Sequence, residues 1–251
     1  KVLITGASSG LGKNMAINYA KVGAQIINIS RNENRMSILN KELNNINRLE
    51  NLYFSCDVSK YDDIKKVSDK LLEKKINPEI IINNAAGNFL TPFKNLSPNG
   101  WKRVHDIVLH GAFNITHIFG NNMINKNING VFLNISTTYA DSGSALVIPS
   151  ASAKAGVDKM MKGLTVEWSK YNIRFVGIAP GPIAESGGAD KLDKFGLFKY
   201  YNKITNPSKR MCHPDEISKL AIFITSDYGS YINGEIIKMD GGELVKNSGE
   251  F

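Results

Sequence analysis

The sequence predicts a single α/β domain, a doubly wound parallel sheet with helices on both faces, over residues 1–251. Three observations carry that prediction. Short apolar runs rich in Ile and Val alternate with stretches of helical length along the whole chain. The first run, VLIT, empties into a glycine-rich turn that opens a helix. No internal repeat and no linker marks a second domain.

Taken in order, VLIT leads through Gly6, Gly10 and Gly12 into the helix KNMAINYAKVGA, and QIINISRN is the second strand. A helix over Asn34–Arg48 precedes the strand LYFSCDVS, and a helix over Asp62–Lys75 precedes the strand EIIINNAAGN. A long helical segment around Trp101–Ile124 leads to the buried strand Val131–Ile135. Helix-start signals at Pro149 and Ser150 introduce a helix over Ala153–Tyr171, followed by the strand IRFVGIAPGPI. Residues 184–212 break the rhythm, with Phe195, Leu197, Phe198, Tyr200 and Tyr201 among lysines. They predict a lid with an apolar underside suited to an acyl chain, or a helical pair packed on the domain or a neighbouring subunit. The helix Asp215–Ser226 and the strand EIIKMDGG complete the alternation.

Composition narrows the partners. No apolar run reaches the roughly 18 residues of a membrane helix, which predicts a soluble protein without a membrane partner. Cys56 and Cys212 cannot form a disulfide framework, and His105, His110, His117 and His213 lack metal-ligand spacing, so no metal is expected. The net charge of +8 favours polyphosphate ligands such as NADPH or coenzyme A, although most lysines read as solvating helix faces. No basic run is interleaved with aromatics, so no nucleic-acid partner is expected. Lys1 stands directly at the first strand without a Met, so the natural N-terminus and any targeting segment are expected to lie outside this sequence.

The turn Gly6-Ala7-Ser8-Ser9-Gly10-Leu11-Gly12 has the context of a nucleotide cradle, in which backbone approaches a pyrophosphate seated on the helix N-terminus. A carboxylate at the end of the second strand would hold the ribose hydroxyls of NAD; here Ser30 and Arg31 stand there. A guanidinium can take the 2′-phosphate of NADP in a two-pronged contact, which predicts NADPH. Asp57 is positioned to meet the adenine amino group. The amide-rich turn Asn83-Asn84-Ala85-Ala86-Gly87 lets backbone pass a ribose while its amides satisfy buried groups.

The chemistry is predicted for Asn134–Lys154, NISTTYADSGSALVIPSASAK. A strand end aims Thr137, Thr138 and Tyr139 into the crevice, and Lys154 is expected one turn into the next helix. An ammonium near a phenol favours the phenolate, and such a phenol can donate a proton to substrate oxygen or carbon. The turn Pro180-Gly181-Pro182, followed by Ile183, ends the sixth strand where a nicotinamide would lie.

TGASSGLG, NNAAG, the Lys154 helix, PGPI and the terminal DGG fall in the order of the short-chain dehydrogenase/reductases, which the chain resembles over nearly its whole length. The resemblance implies a Rossmann-like fold. The departure is informative: that family carries Tyr four residues before its Lys, where this chain has Ser150, and Ser thirteen residues earlier, where it has Thr137. The family's asparagine before Gly111 is Val108. NNAAGNF, LSPNGW, TTYADSGSALVIPSASAKAGV and INGEIIKMDGGELVKNSGEF are similar to the mitochondrial-type 2,4-dienoyl-CoA reductase branch. There the tyrosine sits fifteen residues before the lysine, as Tyr139 does before Lys154.

The resemblance implies that Gly6 to Gly12 cradle phosphates, Arg31 meets the NADP phosphate near the coenzyme A entrance, and Asp57 holds the adenine. It implies Asn84 in the cofactor-binding turn and Lys154 on the nicotinamide ribose, where it also lowers the Tyr139 pKa. Asn88 and Tyr139 would hold the thioester oxygen, with Phe89, Ser97 and Ser150 along the substrate path and Pro180 to Ile183 beside the nicotinamide. The family arginine two residues after Asp57 is Ser59, with Lys60 adjacent, which bears on coenzyme A binding. A dienoyl-CoA substrate, a trans-3-enoyl-CoA product, a homotetramer and a mitochondrial location are further implications, peroxisome and cytoplasm remaining open. A reductase of a 3-oxoacyl or 2-enoyl thioester, and a silent nucleotide-binding scaffold, are the competing readings.

Overall fold

A computed structural model describes residues 1–184 and 204–245. Seven parallel strands form one sheet in the order β3-β2-β1-β4-β5-β6-β7. They are β1 Val2–Thr5, β2 Ile26–Ser30, β3 Leu52–Ser55, β4 Ile80–Asn83, β5 Gly130–Ile135, β6 Ile173–Pro180 and β7 Ile236–Met239. The chain winds from β1 toward β3, returns to β4 beside β1, and winds outward to β7. That reversal creates a crevice at the carboxyl ends of β1 and β4, where open α/β sheets bind ligands.

Alternation along each strand explains the two helical layers. Val2, Ile4 and Ile26 face a core with Met15, Ala16 and Tyr19 of α1 (Gly10–Lys21), Leu39 and Leu43 of α2 (Glu33–Asn47), and Ile217 and Ala221 of α8 (Pro214–Thr225). Leu3, Ile27 and Ile29 face Ile64 and Leu71 of α3 (Tyr61–Glu73), Ile115 and Phe119 of α5 (Gly111–Lys126), and Met161 and Trp168 of α7 (Ile148–Trp168). Phe132 and Phe175 stack at 5.1 Å across β5 and β6 in this second layer.

Three sequence boundaries move. The segment expected over Trp101–Ile124 is α4 (Pro98–His105), a π-helical turn Asp106–His110, and α5, with Ser97 capping α4. Helix α7 begins at Ile148 rather than Ala153, because Pro149 suits a first helical turn; Lys154 is therefore nearly two turns in, not one. The end of the expected lid is joined to the segment that follows β6 by a parallel bridge between Ile183 and Cys212, with Ala184 N–H donating to Cys212 O at 2.9 Å. Phe195, Leu197, Phe198, Tyr200 and Tyr201 lie outside the described residues. Among the described residues no helix is long and apolar enough to cross a membrane, and no cluster of His, Cys, Asp and Glu could hold a metal.

Candidate active site

The glycine turn closes the β1 end of the crevice. Gly6 (φ 70°) and Gly10 (φ 53°) take left-handed backbone that side chains disfavour. A Cβ on Gly12 would stand 2.5 Å from Asn84 Nδ2 and from Gly6 O, so only glycine lets α1 approach the β4 turn. Asn84 Nδ2 donates to Thr5 O at 2.9 Å and more weakly to Gly6 O, while Thr5 Oγ1 accepts from the N–H groups of Asn84 and Ala85, both at 3.0 Å. The side-chain nitrogen of Asn84, a residue expected at the cofactor, thus fastens the two turns together.

Helix α1 begins with no acidic residue in its first turn, and Ser9 makes no capping bond. Its first N–H groups are therefore available to an anion, and the helix dipole favours one there. Ala7 and Leu11 are buried beneath the turn; Ser8 and Ser9 lie at its rim. Ser30 Oγ donates to Ser8 Oγ at 2.8 Å, so two hydroxyls meet where an NAD-binding site would carry an acid, beside the exposed Arg31. Asp57 Oδ1 accepts from the Ser59 N–H at 3.0 Å and the Ser59 hydroxyl at 2.8 Å. Burial pulls the Asp57 carboxyl up, but these bonds and the charges of Arg31 and Lys60 outweigh it and leave the pKa below the usual range. Ser59 is thereby engaged with Asp57, and Lys60 is the N-cap residue of α3. These groups together fit a nucleotide bearing phosphates.

The other side of the crevice is built from the ends of β4, β5 and β6. Ser136 N–H donates to Ile178 O at 2.7 Å and Thr138 N–H to Pro180 O at 3.4 Å, so β5 and β6 stay paired to their ends. Thr138 is buried and Thr137 half-buried. Gly181 N–H donates to Met239 O at 3.1 Å, which ties the turn Pro180-Gly181-Pro182 to β7. Tyr139 opens a short helix, α6 (Tyr139–Ser142), rather than ending the strand. Its hydroxyl stands 3.4 Å from Ser150 Oγ, and Ser150 is buried one turn before Lys154 on α7.

Lys154 is 7% exposed, with its ammonium donating to Ile135 O. Burial lowers its pKa to about 8, with the Asp158 carboxylate acting in the opposite direction. Asn88 and Phe89 are exposed on the loop after β4, where the Phe89 N–H donates to Asn88 Oδ1 at 2.9 Å. Thr91 N–H donates to Leu146 O at 3.0 Å, stitching this loop to the segment after Tyr139. A Cβ on Gly100 would meet Phe89 Cζ at 2.9 Å and Ser97 Oγ at 3.2 Å, so Phe89 lies over the start of α4. Ser97, expected on the substrate path, accepts the Gly100 N–H at 3.0 Å as a helix cap.

Tyr139 and Ser150 are therefore side by side, Lys154 is held at the end of β5, and Asn88 lies on the loop after β4 that Thr91 stitches to the segment after Tyr139. A family model described as Enoyl-(Acyl carrier protein) reductase matches residues 6–243. The chain belongs to the short-chain dehydrogenase/reductase family.

Members of that family are oxidoreductases that bind nicotinamide cofactors. A Bacillus subtilis relative named "Probable 2,4-dienoyl-CoA reductase, (2E)-enoyl-CoA-producing" is 40% identical, covering 97% of this chain and 96% of its own. A Caenorhabditis elegans relative named a probable 2,4-dienoyl-CoA reductase, (3E)-enoyl-CoA-producing, is 36% identical, covering 99% and 81%. The crystal structure of a short chain dehydrogenase from Bacillus anthracis has a TM-score of 0.91 at 41% identity, covering 99% and 97%.

Sequence reading missed two pairs that this family member brings together. Ser8 with Ser30 had only the absent acid as a signal, and Ser136 with Asp158 had the spacing of Asp158 four residues after Lys154.

Proposed function

We propose that the protein reduces 2,4-dienoyl-CoA thioesters with NADPH. The observation that carries this reading is the Tyr139 hydroxyl beside Ser150, which stands one helical turn before the buried Lys154, with Asn88 on the loop after β4. The relatives' names support the substrate class, and Ser30, Ser8 and Arg31 support NADPH over NADH.

The cofactor, when bound, supplies hydride to the δ carbon of the diene. Asn88 and Tyr139 donate hydrogen bonds to the thioester oxygen, where negative charge gathers as the dienolate forms; such donors act before any reorganisation is needed. This explains why a tyrosine displaced from the usual position suits the reaction. The oxygen to be stabilised lies several bonds from the carbon that is reduced, whereas in carbonyl reduction they are bonded neighbours. Lys154 holds the cofactor ribose and supplies positive charge near the phenol. Tyr139, or a water it orders, then protonates the α carbon, giving the trans-3-enoyl-CoA. Arg31, Phe89 and Ser150 line the path of the thioester. By resemblance, the protein works as a homotetramer in the mitochondrial branch.

The Bacillus subtilis relative's name favours a second product. Protonation of the same dienolate at the γ carbon would leave the double bond at position 2. Following NADPH oxidation with a short 2,4-dienoyl-CoA and locating the remaining double bond by NMR tests both. Turnover with a product double bond at position 3 is expected. Turnover of acetoacetyl-CoA alone would select a 3-oxoacyl reductase, and NADPH binding without turnover of any acyl-CoA would select a scaffold.

A further inference from the structure

Two consecutive residues at the end of β5 grip two residues one turn apart on α7. Ile135 O accepts from the Lys154 ammonium, and Ser136 Oγ donates to Asp158 Oδ2 at 2.7 Å. Lys154 and Asp158 stand at i and i+4, which sets both on one face of the helix. The second carboxyl oxygen, Asp158 Oδ1, is buried without a hydrogen-bond partner. Keeping such an atom from water is costly, and nothing in the chemistry assigned to Tyr139 and Asn88 uses it. We propose that Asp158, held by Ser136, is a positioning residue that keeps Lys154 cationic and anchored at the Ile135 carbonyl. This rests on the reading that Lys154 serves the cofactor as a cation.

The reason is a balance between burial and charge. Desolvation favours the neutral amine, and the negative charge of Asp158 opposes it. Burial likewise pushes the Asp158 carboxyl above its usual range, and the Ser136 hydrogen bond and then the Lys154 charge offset part of that rise. The two groups therefore support each other's ionised forms, with Ser136 strengthening the acid.

Charged groups on the neighbouring elements are engaged elsewhere. Asp141 of α6 pairs with Lys238 of β7 at 2.7 Å, and it has only the weakest influence on Asp158. Asp106 of the π turn pairs with Lys102 at 2.7 Å and His110 at 3.2 Å, while His105 of α4 meets Ser152 and the Trp101 carbonyl. Arg174 of β6 donates to the carbonyls of Ile232 and Ile224, and Tyr139 of α6 reaches Ser150. On α7 itself Lys162, one turn beyond Asp158, lowers the Asp158 pKa less than Lys154 does. Asp158 is the acid whose charge bears on Lys154.

The test compares wild type with Asp158→Asn, Asp158→Glu, Ser136→Ala and the Asn–Ala double variant. NADPH affinity, read by cofactor fluorescence, and the 13Cε resonance of Lys154 are each followed against pH, the resonance being identified by its loss in Lys154→Met. In Asp158→Asn the alkaline limb of affinity and the Lys154 titration should both move down by about one pH unit, with affinity at pH 6 unchanged. Ser136→Ala should move both the same way by less, and should add nothing in the Asn background. Asp158→Glu should hold both near wild type. Unmoved titrations in Asp158→Asn and Ser136→Ala, or an affinity loss equal at every pH, would overturn the inference. Should Asp158→Asn not fold, Ser136→Ala decides alone. A shifted Lys154 titration in a protein that reduces no dienoyl-CoA would overturn the proposed function and leave this inference standing.

Discussion

The two sides of the crevice are made differently. On the β1–β3 side the surface is mainly backbone: a glycine turn, the open N–H groups of α1, and hydroxyls tied to one another. On the β4–β6 side it is side chains brought from three strand ends, with a buried lysine and a half-buried acid in place of a backbone cradle. The first side suits a ligand part common to many enzymes, because phosphates need only N–H groups and positive charge. The second suits one reaction, because donors must meet the atom where charge develops. Recognition is thus written in conformation on one side and in chemistry on the other.

The sharpest way to break this contrast is at the phenol. Tyr139→Phe should lower kcat on a 2,4-dienoyl-CoA by about 10²–10³ while NADPH affinity stays within a few-fold, as steady-state rates and fluorescence titration would read. Full activity in that variant would remove Tyr139 from the chemistry.

A second effect, comparable in energy, separates function from stability at Lys154. A buried lysine lowered from its usual 10.5 to about 8 penalises the ligand-free fold by about 3 kcal/mol when both states are protonated. The unfolded chain binds the extra proton between pH 8 and 10.5, so stability should rise with pH across that window. Lys154→Met should lose activity, be the more stable protein at pH 7, and show no such rise. Denaturant unfolding at pH 7, 9 and 10.5 checks all three, and a less stable variant at pH 7 would contradict the account.

The cofactor side predicts a change of preference rather than loss of chemistry. Ser30→Asp places a carboxylate where the Ser30 hydroxyl now meets Ser8, beside Arg31, and should lower kcat/KM for NADPH by about 10–100-fold while improving the ratio for NADH. An unchanged NADPH to NADH ratio would show that the 2′-phosphate is read elsewhere.

The smallest effect concerns Ser97. As an N-cap, Ser97→Ala should cost about 1 kcal/mol of stability with KM for the acyl-CoA unchanged, by unfolding and kinetic measurement. A selective rise in KM would restore its place on the substrate path.

Much of this organisation is legible along the chain, since glycine turns, strand alternation and helix starts are local. The seven-strand alternation, the Gly6–Gly12 turn and the offset of Tyr139 from Lys154 were readable because each concerns neighbours in sequence or a fixed spacing. The capping role of Ser97 is not announced by the motif around it, because a serine beside the substrate loop is also a good helix cap. The start of α7 was placed late because the run LVIP, ahead of Ser150, carries no side-chain cap to announce it.

By itself, then, the sequence determined which backbone conformations are possible and which chemical groups arrive at the strand ends. Only the tertiary structure decided that Ser8 meets Ser30, that Asn84 serves as a fastening, and that Ser136 reaches Asp158 across a strand–helix boundary. The physical reason is that those contacts join residues far apart in the chain. Their energies depend on burial and on the direction of each side chain, and neither exists until the sheet and its helices have packed.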